Sequence, residues 1–367
     1  MKRLIKKTLA YALGGPLFHA IPSRIVSNIS PEQAVRMIEA HSPNQGQSAL
    51  CCHVWQKPEY DLTIIVPVYN AERYLENCLD SILSQKTAFT FHVVVVNDGS
   101  IDNSREILNH YNGHSQISIV NQENGGASKA RNKGLQQVKG RYIMFVDADD
   151  FLPENTVDSF MRAAYELNAD VVQGGYYYTD ETGVVFSIKS YKKAQKCSPN
   201  GTLAGLVCGK IYAAHLFVGV CFPESYWYED TIITAIITHL AKNIVTIPEI
   251  GYYYRQNPTS ITSKGKRKPK SVDSYWIHQR IMQDRSNLGM VTDCEFYKHL
   301  LRMVALSYRR TEMQPEEVKT ALMILWKDLL EKERKDEFAL PPKYRRYEKV
   351  IQNCDYGKYR ILSKFCF

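Results

Sequence analysis

Three aspartates crowd the end of an apolar run in YIMFVDADDFLP, residues 142–153: Asp147, Asp149 and Asp150. Like charges so close repel, by several kcal/mol for a pair ~4 Å apart where the effective dielectric is about 20 or lower. The pattern therefore predicts a cation among them. Mg2+ and Mn2+ suit the role, since each is typically held by one or two carboxylates with phosphates and water completing the shell. Two earlier apolar runs also end in polar residues, the first in Pro67, Tyr69 and Asn70, the second in Asn97, Asp98, Gly99 and Ser100. Further on, Glu229 and Asp230 open the stretch EDTIITAIITHLA, and Arg255 closes NIVTIPEIGYYYR. Each feature admits a plainer reading: Asp98-Gly99 as a turn, Asp149 or Asp150 as a helix cap, Glu229 and Asp230 as acids favoured at a helix N-terminus, Arg255 as a surface arginine.

The elements that must position these residues alternate. LTIIVPVYN, FHVVVVNDGS, ISIVNQ and YIMFVDADD read as strands, with helical patterns over 71–84, 102–111 and 127–138 between them. Strands that are apolar throughout, separated by helices, predict a mostly parallel sheet covered on both faces. Such sheets bind ligands beyond the carboxyl ends of their strands, where strand order reverses, and the polar clusters fall at those ends. A helix over 154–167 and the strand DVVQGGYYY continue the pattern, order loosens over 180–200, and GKIYAAHLF with the two later stretches forms a mixed second layer. Residues 272–335 read as three helices. The expected organisation is a basic and polar extension over 1–60, an α/β domain over 61–265 and a helical region over 266–367.

Composition narrows the function classes. The net charge of +8, from 46 Lys and Arg against 38 Asp and Glu, favours anionic partners without choosing among them. Nine cysteines with no CxxC pair describe neither a disulfide framework nor a zinc site, although Cys51, Cys52 and His53 adjoin. No apolar run approaches the ~18–20 residues that span a bilayer. At the N-terminus Lys2, Arg3, Lys6 and Lys7 alternate with Leu4, Ile5, Leu9 and Leu13. A helix lying on an anionic membrane and a helix packed on the protein fit this pattern alike. GLVCGK lacks the spacing of a phosphate loop, no GxGxxG follows the first strand, and the basic run KGKRKPK has no stacking motif for nucleic acid beside it.

TIIVPVYNAERYLENCLDSILSQ, VVVVNDGSIDNS, NQENGGASKARNKGL, YIMFVDADDFLPENTV and WYEDTIITAIIT occur in an order that resembles family 2 glycosyltransferases of the GT-A fold, over about residues 61–260. The resemblance implies a Rossmann-like nucleotide-binding sheet and transfer of a sugar, with inversion, from a nucleotide-diphosphate donor such as a UDP-sugar. Residue by residue, it implies that Pro67, Tyr69, Asn70 and Asp98 receive the nucleoside and that Arg131 lies near the nucleotide. Asp147 and Asp149 correspond to the DxD motif, with Asp149 the metal ligand and Asp147 facing ribose or metal, and Asp230 corresponds to the catalytic base. Arg255 falls where a diphosphate contact is expected. The expected cofactor is Mn2+ or Mg2+, and the expected acceptor is a saccharide or a lipid-linked saccharide of a cell-surface polysaccharide. Because nucleotide sugars are cytosolic, the expected place is the cytoplasm, with peripheral contact at the inner face of the membrane. The competing expectations are a nucleotide-sugar-binding assembly partner without turnover and a nucleotidyl transferase.

Overall fold

The computed structural model describes residues 17–26, 29–52, 57–199, 203, 205–256 and 265–367. The basic N-terminal pattern, His53 and most of the loop after Arg255 lie outside them. The described residues fall into two units, one within Gly46–Ser225 and Glu229–Asn257, the other within Met1–Gln45, Tyr226–Tyr228 and Pro258–Phe367.

The first unit is built on one sheet. Its strands are β1 (Tyr60–Val68), β2 (Phe91–Asp98), β3 (Ile117–Gln122), β4 (Gly140–Phe145), β5 (Val171–Thr179), β6 (Val185–Lys189), β7 (Gln195–Cys197), β8 (Lys210–Ala213) and β9 (Ile244–Arg255). The spatial order is β3-β2-β1-β4-β8-β5-β9-β7, with β6 paired to β5. β1, β2, β3 and β4 are mutually parallel where they pair, β8 runs antiparallel to β4 and β5, and β5 and β9 are parallel. Strand order therefore reverses between β1 and β4, which opens a crevice at their carboxyl ends. The valines and isoleucines of β1 and β2 are almost wholly buried, which explains why neither strand alternates in sequence. Order within 180–200 is greater than the sequence suggests, since β6 and β7 both lie there.

The helix after the aspartates spans Thr156–Glu166, and its N-cap is Asn155 with no side-chain capping bond. Asp149 and Asp150 are therefore not its caps. The stretch after Asp230 is a wide π-helical turn over Ile233–Ile237 that tightens into α-helix at Thr238–Leu240, and it buries Ile232, Ile233, Ile236 and Ile237.

The second unit is helical: Pro31–His41, Asp273–Asn287, Cys294–Arg310, Glu316–Glu333, Pro342–Gln352 and Tyr356–Phe365. Three of these fall within 272–335 as expected, and two more follow. Pro31–His41 begins with a capping box in which Ser30 and Gln33 exchange side-chain and backbone bonds. The segment Tyr226–Tyr228 is held within this unit, where Asp273 accepts the Trp227 N–H at 2.8 Å and the Arg310 guanidinium lies 3.7 Å from the Tyr228 ring centre.

Gly140 opens β4 against β1. A Cβ there would come within 2.3 Å of the Thr63 nitrogen and 2.5 Å of the Leu62 carbonyl carbon, both backbone atoms that cannot rotate away. Gly140→Ala is expected to destabilise the protein by about 1–3 kcal/mol, read as a lower urea midpoint at unchanged m-value.

Candidate active site

The centre of the site is Arg131, on the helix Gly126–Leu135 that follows β3. It is 5% exposed. Nη2 donates to Asp147 Oδ1 at 2.8 Å and Nη1 donates to Glu229 Oε1 at 2.6 Å, while the guanidinium carbon sits 5.5 Å from the Phe222 ring centre. Burial alone would favour the neutral form, but Asp147 and Glu229 more than offset it, and the pKa is raised. One cation thus joins the loop that carries Asp147 and Asp149 to the segment that carries Asp230. Glu229 had the look of a helix-terminus acid in sequence; its partner is an arginine 98 positions away.

The three aspartates are not equivalent. Asp147 is paired with Arg131, and its N–H donates to the Tyr252 hydroxyl at 3.1 Å. Asp149 is half-buried, and its backbone carbonyl accepts from Arg255 Nε at 2.7 Å. Asp150 is 2% exposed and accepts the Arg255 N–H at 2.7 Å and a bond from Tyr252. Burial, with the neighbouring charges of Asp149 and Asp147, pushes the Asp150 carboxyl well above the usual range. Asp150 is thus a structural acid, whereas Asp147 and Asp149 are half-buried.

Arg255 is itself buried behind this loop. Besides Asp149, its guanidinium donates to the Glu181 carbonyl at 2.7 Å and Asn77 Oδ1 at 3.2 Å, and it lies over the rings of Tyr74 and Phe151. Asp98 is similarly engaged at 2% exposure: Oδ1 accepts from Gln122 Nε2 at 2.7 Å and the Gly125 N–H at 2.9 Å, and Oδ2 accepts the Gly126 N–H at 2.8 Å. It fixes the turn that starts the Arg131 helix. The next residue, Gly99, has φ +68°, and a Cβ would meet the Asn124 nitrogen at 2.8 Å, so only glycine fits this close approach. Beside it the loops after β1 and β2 are tied together, with Asn70 N–H donating to Ser100 Oγ at 3.1 Å and Ile101 N–H donating to Asn70 Oδ1 at 2.9 Å. Pro67 is half-buried on β1, while Tyr69 and Asn70 are exposed. Asp230 is half-buried, and its carbonyl accepts the Ile233 N–H at the start of the π-helical turn.

The family model described as glycosyl transferase family 2 matches residues 63–208. The chain is 33% identical over 218 residues to glycosyltransferase GlyG of Streptococcus pneumoniae, covering 54% of this chain and 72% of that protein. The chain belongs to glycosyltransferase family 2. It is also 40% identical over 248 residues to GgaB of Bacillus subtilis, described as a minor teichoic acid biosynthesis protein, across 64% of this chain. That match takes in only 27% of GgaB, as a match to S. pneumoniae GlyA takes in 36% of GlyA. Among solved structures, S. aureus TarS 1–349 in complex with UDP-GlcNAc superposes with a TM-score of 0.61 at 22% identity, over 83% of this chain and 90% of that one. This likeness places the fold among GT-A glycosyltransferases. The family is one of glycosyltransferases.

Removing Arg131 leaves Asp147 and Glu229 facing each other without their cation. Arg131→Met is expected to lower unfolding free energy by about 3–5 kcal/mol. Arg131→Lys, which keeps charge but loses the two-pronged geometry, is expected to recover part of this in equilibrium denaturation.

Proposed function

We propose that this chain is a metal-dependent, inverting glycosyltransferase that moves a sugar from a UDP-sugar to a saccharide or lipid-linked acceptor in cell-surface polymer synthesis. The observation that carries the proposal is the Arg131 bridge, which ties the segment ending in Asp230 to the loop bearing Asp147 and Asp149. A base and a metal-binding loop are thereby coupled in one crevice of a nucleotide-binding sheet. The UDP donor is supported by the complex of TarS with UDP-GlcNAc, and the surface polymer by the part of GgaB in minor teichoic acid biosynthesis.

Among the described residues no three His, Cys, Asp or Glu side chains gather as a ready cage for a metal. Asp149, with the Asp147 oxygen not paired to Arg131, offers one or two hard oxygens, which fits Mn2+ or Mg2+ completed by water and phosphate. When bound, such an ion stabilises the negative charge of the departing diphosphate. In this reading Pro67, Tyr69 and Asn70 receive the nucleoside, and Asp98 shapes that pocket through the Gly125–Gly126 turn. Arg131 holds Asp147 toward the nucleotide, and Arg255 acts on the diphosphate as a positive charge behind the Asp149 loop. Asp230 takes the proton of the acceptor hydroxyl as that oxygen bonds to the anomeric carbon and the bond to the diphosphate breaks, with inversion. The catalytic domain is residues 61–265. No helix of the described residues is long and apolar enough to cross a membrane. The enzyme would act where nucleotide sugars are made, in the cytoplasm, with any membrane contact peripheral.

Asp230→Asn is expected to cut transfer by about 10²–10⁴-fold while UDP affinity in the presence of Mn2+ is kept. Asp149→Ala is expected to weaken metal-dependent UDP binding, measured by calorimetry. Unimpaired transfer by Asp230→Asn would remove the base from the mechanism.

A further inference from the structure

A second cluster of charge lies on the sheet face that also carries Tyr252. In the register of β5 with β9, Tyr176 pairs with Tyr252 and Tyr178 with Tyr254, and Lys189 of β6 pairs with Tyr176, so these side chains share one face. It is the face of the aspartate loop, since the Tyr252 hydroxyl binds Asp147 and Asp150. Tyr178 and Tyr254 meet edge to face at 5.8 Å. The Lys189 ammonium is half-buried, 5.8 Å from the Tyr176 ring centre and 5.9 Å from that of Tyr191. Lys210, beside them on β8, has no exposure; its ammonium donates to the Tyr176 hydroxyl at 3.4 Å and to the Leu206 carbonyl.

Neither lysine forms an ion pair among the described residues. Lys189 rests on two rings, and Lys210 on a hydroxyl and a carbonyl. Ammonium groups withdrawn from water without an anion are costly, and ring faces offset only part of that cost. The titratable groups around them are Cys208, Asp230 and the tyrosines. Burial lowers Lys189, and burial together with repulsion from Lys189 takes Lys210 down to about 7, against the weaker pull of Cys208 and Asp230. Two lysines that share one tyrosine and repel each other are poorly explained as stabilising elements. They are well explained as half of an interaction whose other half arrives with a ligand.

We propose that Lys189, with Tyr178, Tyr191 and Tyr254, forms an anion subsite beside the reaction crevice that receives a phosphate or carboxylate group carried by the saccharide substrate, with Lys210 and Tyr176 buried behind it. The inference rests on the glycosyltransferase reading above and adds the charge of the ligand. The tyrosines supply hydroxyls and apolar ring surface for the sugar or polyol next to the anion, and Lys189 supplies the charge. The group belongs either to the acceptor or to the transferred sugar.

The test uses the full chain with Mn2+. UDP binding is measured first. With UDP in excess, a short poly(glycerol phosphate) is then titrated against its dephosphorylated polyol; separately, UDP-glucuronate is compared with UDP-glucose. An at least about tenfold preference for the charged member is expected in one pair. Preference in the polyol pair assigns the anion to the acceptor, and preference in the nucleotide-sugar pair assigns it to the donor. Lys189→Gln should reduce the preference to within about threefold, and Lys189→Arg should retain it. Lys189 is half-buried on a hairpin strand, so the fold should survive, which a denaturation curve checks; Lys210→Met provides a second variant from the interior. UDP binding with no preference in either pair, or a preference untouched by Lys189→Gln, overturns the subsite and leaves the glycosyltransferase reading intact. Absence of UDP binding overturns that reading and the subsite with it.

Discussion

The site depends on one buried guanidinium. Arg131 is held from below by the packing of its helix on the sheet, and from above it grips two carboxylates that belong to different loops. Two acids of like charge would separate if left to themselves, so the arginine converts a repulsive pair into a brace. A planar fork with donors on separate arms does this better than an ammonium, which presents a single point of charge. The two carboxylates in turn hold Arg131 charged despite its burial.

Around that brace the protein sorts carboxylates that look alike in sequence. Asp147, Asp149 and Asp150 lie within four residues, yet one is ion-paired, one is half-buried and holds Arg255 through its backbone carbonyl, and one is sealed among hydrogen-bond donors. Arg255 and Asp98 show the same division of labour. Both fall at strand ends where a ligand contact is expected, and both use their polar atoms on the loops that line the crevice. A rigid crevice needs such inner supports, since loops beyond the sheet have no ladder to fix them.

Much of this was legible in sequence because it follows from local pattern. Unbroken apolar strands, intervening helices and polar strand ends are enough to locate β1, β2 and β4 and to predict a crevice at their carboxyl edges. The family resemblance then gave roles to Asp149 and Asp230. What escaped the sequence depends on distance along the chain. Glu229 looked like an acid at a helix start because its partner is far away in Arg131. The burial of Asp150 needs Tyr252 and the Arg255 backbone beside it, which no period encodes. The helix Pro31–His41 does carry a local signal, since Ser30, followed by Pro31 and then Gln33 three places after the serine, is a helix-start signature. In sequence Lys210 only closes a stretch that lacks the spacing of a phosphate loop; its place wholly inside the sheet follows from the pairing of β8 between β4 and β5.

The π-helical turn over Ile233–Ile237 has a bearing on how this enzyme can change over time. An α-helix advances about 100° per residue, so one extra residue in a turn rotates everything before it relative to everything after. Here the surplus residue reconciles two demands: the isoleucines face the interior, and Glu229 just ahead of them reaches Arg131. A deletion within the turn would be easy for the backbone, which would simply tighten, but it would swing Glu229 away from Arg131. Length is therefore constrained in this stretch more strictly than side-chain identity, and variation should enter it by exchange of one apolar residue for another rather than by gain or loss.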